Sequence, residues 1–156
     1  MPRVIKILTN YVIGPIITFG VYVFVFGHLL PGEGFDGGMI VASIFILCII
    51  VYGKEEMEKR ISIGNAVFIS VFSGILIIIM GFVGMLGLRF EHKYYLDNFL
   101  SQGTFSHLFS GGTVPIFNIL VGLSITFGFY AIFAYLSEYK TVDKINNGLD
   151  YTDFKK

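Results

Sequence analysis

The chain has 156 residues, 54% of them hydrophobic and only 14% charged, and a positive mean hydropathy. That balance is too apolar for a water-soluble domain of this size and places the chain in a bilayer. Eleven basic residues offset eleven acidic ones, so the net charge of zero leaves no electrostatic footprint for nucleic acid or an acidic surface.

Four stretches reach the roughly 20 apolar residues that a membrane helix needs: about 11–30, 37–53, 64–88 and 114–135. They are read as one four-helix membrane domain over 1–156, an all-α membrane protein, with the second span short and the third long. The first run follows Arg3 and Lys6 and lacks an Ala-x-Ala type cleavage site behind it, so it reads as a retained span. With nine Tyr and no Trp, tyrosine alone is left to anchor the membrane edges.

A glycine-rich corner joins the first two spans: Gly27-His28-Leu29-Leu30-Pro31-Gly32-Glu33-Gly34-Phe35-Asp36-Gly37-Gly38. Pro31 has no amide proton and disfavours helix at Leu30, so it is expected to end the first helix. Asp36 is predicted to cap the second helix, and Gly37 and Gly38 keep its first turn thin enough for another backbone to press on it. His28 sits where the helix dipole favours a positive charge, either as a hydrogen-bonded interfacial residue or as a proton relay. Glu33 and Asp36 are either plain solvated carboxylates or a funnel that attracts cations.

The second run holds the single cysteine, Cys48, which excludes an internal disulfide or a CxxC site and reads as a small core residue. The third carries Gly74, Gly81, Gly84 and Gly87, which permit close helix approach. In the connection 89–112, Tyr94, Tyr95, Leu96, Phe99 and Leu100 interleave with Asp97 and Asn98, a spacing that predicts a short interfacial helix on the membrane surface. A second corner follows, Ser110-Gly111-Gly112-Thr113-Val114-Pro115-Ile116-Phe117-Asn118, continuing to Gly122 and Leu123. Thr113 is the expected N-cap, Pro115 fits the first turn, and Asn118 must find a partner in low dielectric. By topology the two corners share one side of the membrane and can pack together. The polar tail from Lys140 is expected to run along the cytoplasmic surface or against a partner.

Of the eleven basic residues, all but Arg89 and Lys93 fall on one side if both termini are cytoplasmic, a positive-inside pattern. No Asp, Glu, Lys or His lies at midplane depth in any span, although a subunit conducting protons or sodium through its own middle generally needs one. Thr18, Ser43, Asn65, Ser70, Ser73, Asn118, Ser124 and Thr126 can hydrogen-bond between helices but cannot titrate. The chain therefore reads as a packing subunit. The alternative is a small homo-oligomeric cation channel or transporter with a polar path through Asn65, Asn118, Ser124 and Thr126. His28, His92 and His107 are too scattered for a metal site, and no nucleophile–base pair or phosphate loop is present, so neither a catalytic centre nor a cofactor is expected.

The paired motifs GHxxPGxGFxGG over 27–38 and SGGTxPxxNxxVGL over 110–123 resemble the MnhB-type B subunit of Mrp multisubunit sodium/proton antiporters, including the similar subunits of membrane-bound hydrogenase-type respiratory complexes. The resemblance covers about 7–138. It implies a small, non-catalytic subunit of a prokaryotic plasma-membrane complex that exchanges cations, with the other antiporter subunits as partners and hydrogenase-type redox subunits as partners if the complex is respiratory. Two departures stand out. Glu33 replaces a glycine common in the family, and Ser124 stands where a lysine often follows Val-Gly-Leu, which weakens the assignment to a free-standing antiporter.

Overall fold

The computed structural model describes residues 3–29, 32–86, 94–101, 103, 104, 107 and 110–146, and of 138–146 the backbone only. Among the described residues five helices follow one another: α1 (Arg3–Phe26), α2 (Gly34–Tyr52), α3 (Lys54–Arg60), α4 (Ile63–Met85) and α5 (Val114–Asn146). No strand occurs among the described residues. Arg3–Phe26, Gly34–Tyr52, Ile63–Met85 and Val114–Ser137 are each long and apolar enough to cross a bilayer.

The span helices pack as α1 on α2, α2 on α5 and α5 on α4, with α1 also touching α5. Half of the α2 span is buried but only 17% of the α1 and α4 spans, so α2 is an inner helix while α1 and α4 present most of their surface outward. Those outward faces are hydrocarbon: Leu8 and Phe19 on α1, Phe68, Ile78 and Phe82 on α4. In water such surface would be a liability; against lipid it needs no cover.

The core lies where α2, α4 and α5 converge with α3. Ile44, Cys48 and Ile49 meet Met57, Ile63, Ala66, Tyr130 and Ala134. Tyr130 is 1% exposed, and its hydroxyl donates to the Ile61 carbonyl at 2.7 Å, so a buried phenol holds the entrance of α4. Ser70 Oγ donates to the Ser124 carbonyl at 2.8 Å and Ser124 Oγ to the Ser70 carbonyl at 3.1 Å, a reciprocal pair locking α4 to α5. Ser70 and Ser124 thus bind helices together, whereas the Thr18 and Ser43 hydroxyls donate within their own helices, to the Gly14 and Ile40 carbonyls.

Several expected boundaries move. α1 begins at Arg3, not near residue 11, because a hydropathy run marks where side chains suit lipid while the helical backbone continues into the interface. It ends at Phe26, upstream of Pro31, where the Leu29 amide closes a tight turn on the Phe26 carbonyl at 2.9 Å. Leu30 and Pro31 lie outside the described residues. α5 likewise continues as helix past 135 to Asn146, so the first residues of the polar tail are helical; 147–156 lie outside the described residues. The expected interfacial helix between the third and fourth spans does not occur among the described residues of that connection, which form turns, bends and stretches without regular structure.

A short helix does occur, but in the preceding connection. Gly53, at φ 93°, breaks α2, and α3 then places Glu55 and Glu56 in its first turn and Lys59 and Arg60 in its last. That polarity suits the helix dipole at both ends. Lys59 donates to Glu56 at 2.8 Å, and this bond holds the Glu56 carboxyl below its ordinary range and the Lys59 ammonium above its own. Met57 is the one buried residue of α3.

Candidate functional site

The two glycine corners meet at one end of the bundle, and their contact is made of backbone. A Cβ built on Gly34 would overlap the main chain of Asn118 on α5. On Gly38 it would stand 2.7 Å from the Gly122 carbonyl oxygen, and on Gly37 it would stand 2.6 Å from the Phe24 nitrogen and 2.7 Å from the Gly20 oxygen of α1. Gly34 and Gly38, one helical turn apart, therefore face α5, while Gly37 faces α1. Gly20 and Gly122 complete the seam from the other side, each filled by a neighbour, Val41 and Phe24 respectively. Close approach is sealed by a buried hydrogen bond, Thr126 Oγ1 to the Gly38 carbonyl at 3.1 Å.

The capping expected of Asp36 is not observed. α2 starts at Gly34 with Glu33 in the N-cap position, extended at φ −123°, and the Gly37 amide donates to the Glu33 carbonyl at 3.2 Å. Asp36 lies within the first turn, exposed, where its charge favours the helix N-terminus without capping it. The helix begins earlier than expected because glycine's poor propensity is outweighed by the contacts its bare face allows. Glu33 is exposed beside it, and Phe35 points outward at 46% exposure, away from the seam.

Gly27 touches the same corner: a Cβ there would lie 2.7 Å from the Gly32 oxygen and 3.1 Å from the Asn118 side-chain nitrogen. His28 is half-buried. Its Nε2 lies 3.5 Å from the His107 carbonyl, at the outer limit of hydrogen bonding, and its Nδ1 is buried without a partner among the described residues.

The second corner is fastened by a residue that no motif marked. Asn98 Nδ2 donates to the Gly111 carbonyl at 3.1 Å, while its Oδ1 accepts from the Thr113 amide at 3.0 Å and the Thr113 hydroxyl at 3.3 Å. Thr113 thus sits just before α5 as expected, but its buried side chain donates to Asn98. Gly111 and Gly112 adopt φ 97° and 67°, a region glycine enters without strain. A side chain at Gly112 would also run into Asn98. Pro115 is buried in the first turn of α5.

The glycines of α4 serve differently from expected. Gly74 has nothing within 4 Å of a built Cβ, whereas Gly81 and Gly84 admit the returning chain, Tyr95 against the first and the Asp97 backbone against the second. The Leu96 amide donates to the Gly81 carbonyl at 3.2 Å, and Leu96 takes φ 66° to do so. Close approach here is loop on helix, and it presents Asn98 to the second corner. Gly87 lies outside the described residues.

The corner offers shape and hydrogen bonds. No group of three His, Cys, Asp or Glu residues able to hold a metal ion occurs among the described residues. What the arrangement does is hold three helix backbones in contact where one turn of α2 wedges between α1 and α5.

A domain model described as related to the MnhB subunit of Na+/H+ antiporter matches residues 4–131. An uncharacterized protein of Methanocaldococcus jannaschii is 28% identical over 145 residues, covering 83% of this chain and 50% of its own length. The Staphylococcus aureus protein named "Putative antiporter subunit mnhB2" is 42% identical over 60 residues, covering 38% of this chain and 43% of its own. The chain spans about half the length of the curated relatives it matches. With the domain match running from α1 through most of α5 and both glycine corners inside it, this chain belongs to the MnhB-related family of membrane subunits.

Proposed function

We propose that this chain is an integral subunit of an Mrp-type sodium/proton antiporter module in a prokaryotic plasma membrane, with both termini cytoplasmic. Its part is to pack and orient helices for companion subunits, and the ions cross elsewhere in the module. The observation that carries this reading is the interlocked backbone seam of Gly34, Gly37 and Gly38 against α1 and α5. The span interiors support it, since no Asp, Glu, Lys, Arg or His occurs over 7–27, 37–53, 61–88 or 108–137. Position 124, where a lysine is common in relatives of this type, is closed by the reciprocal Ser70–Ser124 pair.

The test is assembly. Gly37→Val or Gly38→Val should lower the yield of companion subunits that co-purify with the chain, while Glu33→Gln, on an exposed side chain, should not. Equal recovery in all three variants would remove the packing role. The co-purifying chains also identify the owner: iron–sulfur and nickel subunits mark a hydrogenase-type respiratory complex, and their absence marks a free-standing antiporter.

A further inference from the structure

The end of the bundle opposite the glycine corners carries a cavity of about 170 Å³ between α1, the end of α2, and α3. Ile13 and Met57 give it apolar wall, and Asn10, Tyr52, Glu56 and Arg60 give it polar wall. Its depth follows from helix length. α2 has 19 residues, and at 1.5 Å each it runs roughly 28 Å, close to the hydrocarbon thickness of a bilayer. Tyr52, its last residue, therefore lies at the level of lipid headgroups.

The polar wall is set up as a donor surface. The Tyr52 hydroxyl donates to Asn10 Oδ1 at 2.7 Å, which leaves the Asn10 amide hydrogens for an acceptor. Glu56 is engaged by Lys59 at 2.8 Å. Arg60 is exposed on its short helix, and Lys6 Nζ stands 5.9 Å from the centre of the Tyr52 ring, so a second cation flanks the cavity. At this end Arg3, Lys6, Lys54, Lys59, Arg60, Lys140 and Lys144 outnumber Glu55, Glu56, Glu58, Glu138 and Asp143. Tyr11 of α1, beside Asn10, and Val21, deeper in the span and on the Asn10 side of the helix, are exposed and offer an apolar surface to hydrocarbon chains.

We infer that this cavity seats the phosphate headgroup of an anionic phospholipid, gripped by the Arg60 guanidinium and the Asn10 amide, with its acyl chains along the outer face of α1. Charge and depth together select a lipid. A soluble anion would gain nothing from the exposed face of α1 on the membrane side of Asn10, and a zwitterionic lipid would set its own cation against the basic surplus. The inference is independent of which complex owns the chain.

Native mass spectrometry of the full chain in detergent, titrated with phosphatidylglycerol and with phosphatidylcholine, tests it. The expected result is one phosphatidylglycerol retained about tenfold or more in preference to phosphatidylcholine, which offers the same phosphate but brings an ammonium against the basic residues. Arg60→Gln should abolish the preference, and Arg60→Lys, which keeps the charge but loses the planar fork, should fall between. Ile13→Phe, which fills the cavity and keeps every charge, should lose it too. Equal retention of both lipids by the unmodified chain, or full retention by the Arg60→Gln or Ile13→Phe variants, would overturn the inference. Displacement of the lipid by soluble glycerophosphoglycerol at equal concentration would make this a free-anion site and overturn it as well. So would an Arg60-dependent crosslink to a companion subunit in native membranes without lipid retention, which would give the cavity to a protein carboxylate.

Discussion

Replacing Gly38 by alanine probes the seam with a single methyl group. That methyl would stand 2.7 Å from the Gly122 oxygen and 3.0 Å from Ile125 Cβ. A carbon–oxygen contact relaxes at about 3.3 Å or beyond, so α2 and α5 must part by roughly 0.6 Å. The obstructing oxygen is main chain, and no rotamer change can clear it. The same movement stretches the Thr126 to Gly38 hydrogen bond from 3.1 Å to about 3.7 Å, past useful geometry. Overpacking of this kind costs about 1–3 kcal/mol, and an interhelical hydrogen bond in a membrane protein contributes about 0.6 kcal/mol, so the expected loss is about 1.6–3.6 kcal/mol. Reversible unfolding in mixed micelles, followed by circular dichroism, measures it. Gly74→Ala is the matched control, since nothing lies within 4 Å of its built Cβ, and alanine there should be neutral or stabilising. In a Thr126→Ala background, Gly38→Ala should cost about 0.6 kcal/mol less, because the bond it breaks is already gone. If Gly38→Ala and Gly74→Ala unfold at the same point, the reasoning about the seam is wrong.

Asn98→Ala should destabilise the chain by about 1–3 kcal/mol, because it strips partners from the Gly111 carbonyl and the Thr113 amide and hydroxyl; hydrogen exchange at the Thr113 amide should rise with it, and an unchanged rate would count against the clamp. Ser70→Ala and Ser124→Ala should each cost about 0.6 kcal/mol, with a double-mutant cycle showing coupling near zero, since each hydroxyl bonds a carbonyl and not the other hydroxyl; a large coupling energy would mean that the two act as one unit. Glu56 has a depressed carboxyl pKa in the folded chain, so its bond with Lys59 is present above the ordinary carboxylate range and lost as pH falls through the folded value. Lys59→Met should raise that pKa in an NMR titration, and no movement would refute the pairing. Replacing Glu33 with Gln and Asp36 with Asn together should leave the apparent sodium affinity of the whole complex unchanged if both are simply solvated, and a weakened affinity would instead favour a cation funnel.

Much of the architecture was legible because lipid imposes one simple rule, that a span must be long and apolar, and the four runs obey it. The ends of the helices were less so. Hydropathy reports the bilayer edge, and α1 passes through it with Arg3, Lys6 and Asn10 still helical. α3 did carry a signal in its charge order, acidic residues before basic ones around an apolar Met57, but seven residues are too few to show a period. Asp36 was misplaced because the glycines around it argue against helix on propensity alone, and only the contacts of Gly34 and Gly37 with neighbouring backbones reveal why helix wins there. That the two corners meet could be anticipated from topology. Asn98 could not, since its partners lie 13 and 15 residues away and its position depends on how Tyr95 and Asp97 fold back onto α4.

On the proposed function this bundle holds no ion route of its own, and exchange passes through companion polypeptides. Reconstituting the purified chain alone into vesicles loaded with a pH-sensitive dye, beside vesicles carrying the whole co-purified complex, addresses it directly. A sodium pulse should leave the pH of the single-chain vesicles indistinguishable from that of empty ones, while the complex shifts it. Sodium-dependent proton movement by the lone chain would place an ion route between these four spans and overturn the packing role.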